Sequence, residues 1–379
     1  MKILLVGPAF PYRGGIANFV AATSRHLHHR GHEVTIVNFT RQYPNFLFPG
    51  KTQYETSPQT LPSRRVIDSI WPLSWVKAAQ AIRHFAPDLV VYNHWMPFFA
   101  MAYGTMAWIL RLQNPPRQIC ICHNVIPHEK HPGDRLLNQF FLRQMDGHIV
   151  LSRAVEEELR QLWPHTRIRR VLHPIAETFA GAVPREEARR KLNIPSGKTV
   201  LLFFGYVRRY KGLDILLRAF SLVVEKNPNV FLLVVGEFYE PKPQFEAIIR
   251  QEELEDSVKI LDQFVPNTEV GLYFSAADLV VMPYRSATQS GIIPIAYQFE
   301  KPILTTRVGG LVDFVEEGQT GFLVEPENPE ALAASIETFL QKKGSIPFEE
   351  NIRDFRANFS WEKLVEAVES FSAAGGNRL

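Results

Sequence analysis

Short apolar runs recur along the chain, each closed by a turn residue or a polar cluster, with amphipathic stretches between them. Lys2 to Gly7 is the first run. Ile16 to about Arg30 then places apolar residues at helical spacing, and His32 to Phe39 is apolar again. Continuous apolar runs of this length predict buried strands, and apolar positions three and four apart predict helices. The same pattern gives a helix over Leu73 to Phe85 and strands over Asp88 to Tyr92 and Gln118 to Cys122. A strand over Asp146 to Leu151, a helix over Arg153 to Leu162 and a strand over Arg167 to Leu172 follow. After a proline-marked segment with one charged helix the order restarts, with a strand at Thr199 to Phe204 and a helix at Leu213 to Val224. Strands at Val230 to Val235, Val258 to Ile260 and Leu279 to Met282 alternate with further helices. This strand–helix alternation in both halves predicts two α/β domains, each a doubly wound parallel sheet. Arg41 to Pro72, rich in Pro, Gln, Ser and Thr, is expected to be a long loop with little regular structure. Trp95 to Leu110 is the most apolar segment but is shorter than a bilayer span, so a buried helix is expected there.

The pattern is densest from Leu279 to Glu316. A strand ends at Pro283, and a loop rich in Ser, Thr and Gln leads into a short helix from Gly291 to Phe299. Ser290 is a suitable N-cap, and Pro294 falls in the first turn, where a missing N–H costs least. A strand from Pro302 to Thr306 and the pair Gly309-Gly310 follow. The backbone N–H groups of Thr288, Gln289, Ser290 and Gly291 then point past a strand's carboxyl end. Anions bind at such places, and ligands of open α/β sheets collect at that edge. An ordinary loop decorated with polar residues is the competing reading. Gly14 and Gly15 open the first domain's first helix and also permit close approach of a phosphate or sugar. Their spacing is not that of a dinucleotide fingerprint.

Length and composition agree with two cores: 379 residues, 46% of them hydrophobic. Cys120 and Cys122 alternate on one apolar strand and so face the same way. Buried reduced thiols in a cytosolic protein are the expectation. The apolar run after Met1-Lys2 is too short for a signal peptide. The net charge of +3 is unevenly spread: residues 1–180 hold 20 Lys and Arg against 11 Asp and Glu, and the rest holds 22 against 28. All 12 histidines precede residue 181. A basic half suits an anionic partner or the inner face of a membrane, and equally a solvated surface with no partner. No nucleic-acid partner is expected. His94 and His123 stand at the ends of two successive strands, with Asn124 beside the second. Neither has a set of carboxylates or thiolates around it beyond Cys122, so no metal is expected.

Four pieces in order now carry a resemblance. They are Gly14-Gly15 with Arg30-Gly31-His32-Glu33-Val34, then Phe204 to Asp214, then Val308-Gly309-Gly310-Leu311, and last Glu317 to Val324. The chain resembles the family 4 glycosyltransferases over nearly its full length. The resemblance implies the GT-B fold, with two Rossmann-like domains facing across a cleft. It implies an acceptor-side domain over 1–180, a linker over 181–198 and a nucleotide-sugar domain over 199–345. The segment 346–379 would cross back to the first domain. The implied reaction moves a sugar, with retention, from a UDP- or GDP-linked donor to a saccharide or lipid-linked acceptor, as in polysaccharide or glycolipid synthesis. No cofactor is implied.

By the same resemblance His123, Arg208 and Lys211 are the expected catalytic residues. Gly14, Gly15, Gly205, Thr288, Gln289, Ser290 and Gly291 bind the donor, and His94 and Asn124 lie on the acceptor side. The chain departs from the family where two glutamates eight positions apart are usual: Ala287 and Ile295 stand there. Tyr206 occupies the place of a common arginine. The missing glutamates leave open a catalytically inactive GT-B partner of another transferase. A nucleotide-sugar epimerase of the same fold would need cleft carboxylates, and the sequence offers no convincing set.

Overall fold

The computed structural model describes residues 1–44, 52–55, 62–126, 131–175, 179 and 181–372. The chain forms two compact units, one of Met1–Pro174 with the segment from Phe359 on, the other of Ile175–Asn358.

In the first unit the order is β1 (Lys2–Val6), α1 (Gly15–His29), β2 (Glu33–Arg41), β3 (Ser63–Asp68), α2 (Pro72–Phe85) and β4 (Leu89–His94). It continues with α3 (Ala100–Arg111), β5 (Arg117–Cys122), α4 (Asp134–Leu142), β6 (Gly147–Val150), α5 (Arg153–Leu162) and β7 (Ile168–Arg170). The sheet runs β3-β2-β1-β4-β5-β6-β7, and β1 pairs in parallel with β2 and with β4. Strand β1 is buried on both faces, as its unbroken apolar run requires of a parallel sheet covered by helices. Leu4 and Val6 face the layer that includes α2, α3 and α4, while Ile3 and Leu5 face α1 and the chain's last helix. Cys120 and Cys122 are buried free thiols in one cluster, 3.5 Å apart.

The expected loop over Arg41 to Pro72 is only partly a loop, because β3 lies inside it and pairs with β2. Its exposed positions are Arg64 and Arg65, and an edge strand with only Ile67 fully buried carries no apolar run. Trp95 to Leu110 divides into a short 3-10 turn at Pro97–Phe99 and then α3. Helix α4 was not expected.

The second unit contains α6 (Arg185–Lys191), β8 (Thr199–Phe204), α7 (Leu213–Lys226), β9 (Val230–Val235), α8 (Lys242–Gln251) and β10 (Val258–Leu261). Then come α9 (Val270–Ala276), β11 (Leu279–Met282), α10 (Ile292–Gln298), β12 (Ile303–Thr306), β13 (Gly321–Val324), α11 (Pro329–Lys342) and α12 (Phe348–Phe355). Its sheet order is β10-β9-β8-β11-β12-β13. The order reverses between β8 and β11, and the loops leaving those two strands form the crevice where such sheets take ligands.

The chain changes unit at Pro174/Ile175 and at Asn358/Phe359, not at 180 and 345. Helix α6, placed in the expected linker, is fixed to the second unit by Arg189. That buried guanidinium donates to Asp278 at 2.7 Å, to the Ala276 carbonyl and to the Lys198 carbonyl. Helix α12 also stays there, with Phe348 against Phe322 and Phe339. Of the described helices after residue 345, α13 (Trp361–Glu369) packs in the first unit, stacking Trp361 on His26 of α1 at 4.9 Å. No helix among the described residues is long and apolar enough to cross a membrane.

Candidate active site

Strand β8 delivers the chain to Gly205, whose φ of +103° only glycine adopts without strain. The loop then folds into a 3-10 turn, Arg209–Lys211, closed by Gly212 at φ +68°. A Cβ on Gly212 would lie 2.1 Å from the Pro283 carbonyl oxygen, so this loop rests directly on the one leaving β11. A Cβ on Gly205 would lie 2.8 Å from Lys211 Nζ and 3.3 Å from Ile292 Cδ1. The Lys211 ammonium, the bare Gly205 backbone and the start of α10 therefore meet at one point.

Lys211 is 7% exposed. Burial, and then the like charge of Arg208, pull its ammonium down from 10.5 to about 7. Its Nζ sits over the Tyr284 ring, 5.6 Å from the centroid. Among the described residues no carboxylate forms an ion pair with it. A buried cation without a counter-ion is costly to fold, and that cost is recovered when an anion arrives. The Arg208 guanidinium lies over Tyr239 at 4.7 Å, and Tyr239 packs on Tyr206 at 4.8 Å.

The two loops are joined by Arg285. Its side chain makes two charge-assisted bonds to Asp214, at 2.9 and 2.7 Å, and donates to the Arg209 carbonyl at 2.7 Å. Glu327 accepts from the same guanidinium at 3.0 Å, and the Arg285 backbone N–H donates to the Tyr210 carbonyl at 2.7 Å. The turn that holds Lys211 is thus tied to the residues after β11 from both main chain and side chain.

Thr288 and Ser290 are largely buried, and Gly291 is exposed. The loop that carries them is held by Gly309-Gly310. The Gly310 N–H donates to the Ala287 carbonyl at 3.2 Å, and a Cβ on Gly309 would lie 1.7 Å from that oxygen. Helix α10 starts later than expected: Gly291 is its cap, and the Ser290 hydroxyl accepts from the Ile292 N–H at 3.2 Å. A Cβ on Gly291 would meet nothing within 4 Å. Ala287 and Ile295, at the places of the family's glutamates, are both buried.

The remaining expected residues lie in the first unit. Gly14, at φ +112°, precedes α1, and Gly15 is its first residue, with open space beside both. His123 is buried against the edge of Phe19, ring centroids 4.7 Å apart, with Nε2 3.4 Å from Asn93 Oδ1. Burial foremost, then His173 and His94, hold its imidazole well below the usual range, so it is neutral. His94 does not match His123 in position. His94 is in register with Cys122, so His123 lies one residue further and on the opposite face. His94 is fully buried, donates from Nε2 to Asn138 at 2.9 Å and packs on Phe141, as a core histidine does. Asn124 is half-buried and donates to the Trp95 carbonyl at 3.3 Å.

The structure therefore brings together Gly205, Arg208, Lys211 and the start of α10. It adds Tyr239, Tyr284 and Arg285, which nothing in the sequence pattern had marked. No group of three or more His, Cys, Asp and Glu placed to hold a metal ion occurs among the described residues. The second unit's large cavity, about 920 Å³, is lined by Arg185, Lys301, Lys343 and Arg353. It lies at the amino ends of β11 and β12, and none of the expected donor residues lines it.

Two Rossmann-like parallel-sheet units, one with a cation-bearing glycine loop at its switch point, define a GT-B glycosyltransferase. Residues 13–178 match the model described as Glycosyltransferase Family 4, and residues 184–359 match that of Glycosyl transferases group 1. The chain belongs to these glycosyltransferases. It is 28% identical over 305 residues to a D-inositol 3-phosphate glycosyltransferase of Corynebacterium urealyticum, covering 74% of this chain and 70% of that one. Among solved structures it is similar to a sucrose-phosphate synthase of Thermosynechococcus elongatus, with a TM-score of 0.77, 22% identity and 97% of each chain covered. It is also similar to Anabaena Alr3699/HepE in complex with UDP-glucose, with a TM-score of 0.76 and 18% identity, covering 99% of this chain and 100% of that one.

Proposed function

We propose that the protein transfers a sugar, with retention at the anomeric carbon, from a nucleotide-diphosphate donor to a saccharide or lipid-linked acceptor. The buried Lys211 ammonium, without a carboxylate partner among the described residues and set over Gly205 at the sheet's switch point, carries this reading. A diphosphate there supplies the missing counter-charge. When the bond from the anomeric carbon to the leaving diphosphate oxygen breaks, negative charge grows on that oxygen. Lys211 and Arg208 neutralise it in this reading, and groups held in advance stabilise such charge best. The acceptor hydroxyl attacks the same face of the sugar and passes its proton to the departing diphosphate oxygen. Thr288, Gln289, Ser290 and Gly291 offer hydroxyls and backbone N–H groups to the phosphates. His123 and the Gly14-Gly15 loop serve the sugar and the acceptor.

Alr3699/HepE is described with UDP and with UDP-glucose bound, which supports a uridine diphosphate donor here. The buried apolar Ile295 leaves no carboxylate for the ribose at that place. No metal is needed in this reading, because the two side-chain cations do the neutralising. The test is incubation with a panel of nucleotide sugars, with and without a chelator, reading free UDP or GDP. Release from one donor that survives the chelator is the expected result. No release from any donor, with acceptors supplied, would leave the inactive-partner reading in its place.

A further inference from the structure

Thirteen large apolar residues are exposed among the described residues, and nine of them lie between Ile70 and Phe140. They fall on, or at the ends of, three helices that pack side by side in the first unit. Arg83 of α2 donates to the Ile109 carbonyl of α3. Arg111 of α3 donates to the Gln144 carbonyl just after α4, and a Cβ on Gly104 of α3 would run into the Phe140 ring of α4. The inner sides of these helices bury Trp75, Ala78, Tyr103, Met106 and Phe141 in the core. Much of their outer surface is apolar too. The outward line of α3 and its cap is Met101, Thr105, Trp108 and Leu112, in which only threonine is polar. Trp71 and Leu73 continue the surface at α2, as Leu136 and Phe140 do at α4. A soluble surface rarely keeps so much apolar area contiguous unless something covers it.

Charge decides what covers it. The exposed charged side chains of α2, α3 and α4 are the cations Lys77 and Arg135; Arg111 is paired with Asp146 at 2.9 Å, Arg83 is half-buried, and the one acid, Asp134, is half-buried. A second copy of the chain meeting this face about a two-fold axis would set like charges against each other. An anionic bilayer meets it with complementary charge, while tryptophan and leucine enter the headgroup boundary. We propose that the outer face of α2, α3 and α4 docks the protein on an anionic lipid surface. The proposed function enters only in that a lipid-linked acceptor gives the contact a purpose.

The test is co-sedimentation of the full chain with phosphatidylcholine vesicles, with and without phosphatidylglycerol, at low and high salt. The wild-type should pellet with the anionic vesicles and fall away with neutral vesicles or high salt. Trp108→Ser combined with Leu112→Ser, and separately Lys77→Glu combined with Arg135→Glu, should each weaken partition by roughly tenfold or more. All four side chains changed are exposed, so an unchanged unfolding temperature is expected alongside. No pelleting of the wild-type, or equal pelleting of both double variants, would overturn the proposal. So would a wild-type dimer that dissociates on the Trp108→Ser and Leu112→Ser changes. UDP binding measured on the same samples keeps the two readings apart. Lost lipid binding with intact UDP binding removes only the docking face, whereas a wild-type that pellets without binding UDP removes only the transferase reading.

Discussion

Replacing Lys211 by methionine should stabilise the fold and weaken the donor site together. Methionine keeps the length and apolar contacts of the lysine stem but brings no charge into the pocket. A fall of the ammonium from 10.5 to about 7, at about 1.4 kcal/mol per tenfold change, means folding disfavours the charged form by roughly 5 kcal/mol at most. Losing the contact with Tyr284 gives back ~1 kcal/mol, and relaxation around the charge takes up more. A net gain of ~2 kcal/mol in a unit of this size raises the unfolding temperature by roughly 4–8 °C. The pH dependence separates this from ordinary packing. Between pH 7 and 10.5 the unfolded chain holds the Lys211 proton and the folded chain has released it. Wild-type stability therefore rises with pH across that window, and the penalty is fully present below it. The variant should lack that rise. A charge-assisted hydrogen bond contributes ~1.5–3 kcal/mol, so UDP affinity in the variant should drop by roughly 10- to 100-fold. Calorimetric unfolding across pH and titration with UDP supply both readings. A variant less stable than wild-type, or one that binds UDP equally well, would refute the reasoning.

His123→Ala should lower turnover by roughly tenfold, the loss of one hydrogen bond to the sugar, with UDP affinity unchanged; a collapse of UDP binding with the unfolding temperature would make His123 a core residue only. Gly291→Val is a clean probe, because φ is −69° and an added Cβ meets nothing within 4 Å. The folded variant should lose transfer, and full activity would remove the 288–291 loop from the phosphate site. Arg285→Ala should loosen the Lys211 turn, seen as faster amide exchange over residues 206–212, and lower donor affinity severalfold. Unchanged exchange there would show that Gly212 against Pro283 suffices to hold the loops.

The parallel-sheet halves were legible because their central strands are buried on both faces and so carry continuous apolar runs, as in β1, β8 and β11. Strand β3 was not, since an edge strand reading Ser-Arg-Arg-Val-Ile-Asp presents its polar residues to water. Strand β13 is four residues long and opens on a glycine, which reads as a turn. That glycine is required because a Cβ on Gly321 would lie 2.0 Å from the Ile303 carbonyl oxygen. In the site, Lys211 stood out as a cation in a glycine-bounded loop after a strand. Its burial did not, because that depends on Tyr284 and Ile292, some eighty residues away in sequence. Arg285 was invisible for a similar reason: its partners Asp214 and Glu327 belong to separate elements. The histidine pair misled because strand-end position says nothing of register, and one residue of register turns a side chain to the other face.

Proton uptake on nucleotide binding tests the donor site most directly. At pH 8 the free protein should hold Lys211 mainly neutral, and a bound diphosphate should draw the proton back. Titrating UDP in two buffers of different ionisation enthalpy measures the protons taken up per nucleotide. The account predicts an uptake close to one proton for the wild-type at pH 8, falling toward zero at pH 6, and none at pH 8 for Lys211→Met. Wild-type binding without proton uptake at pH 8, or the same uptake in the methionine variant, would contradict the placement of the diphosphate on Lys211.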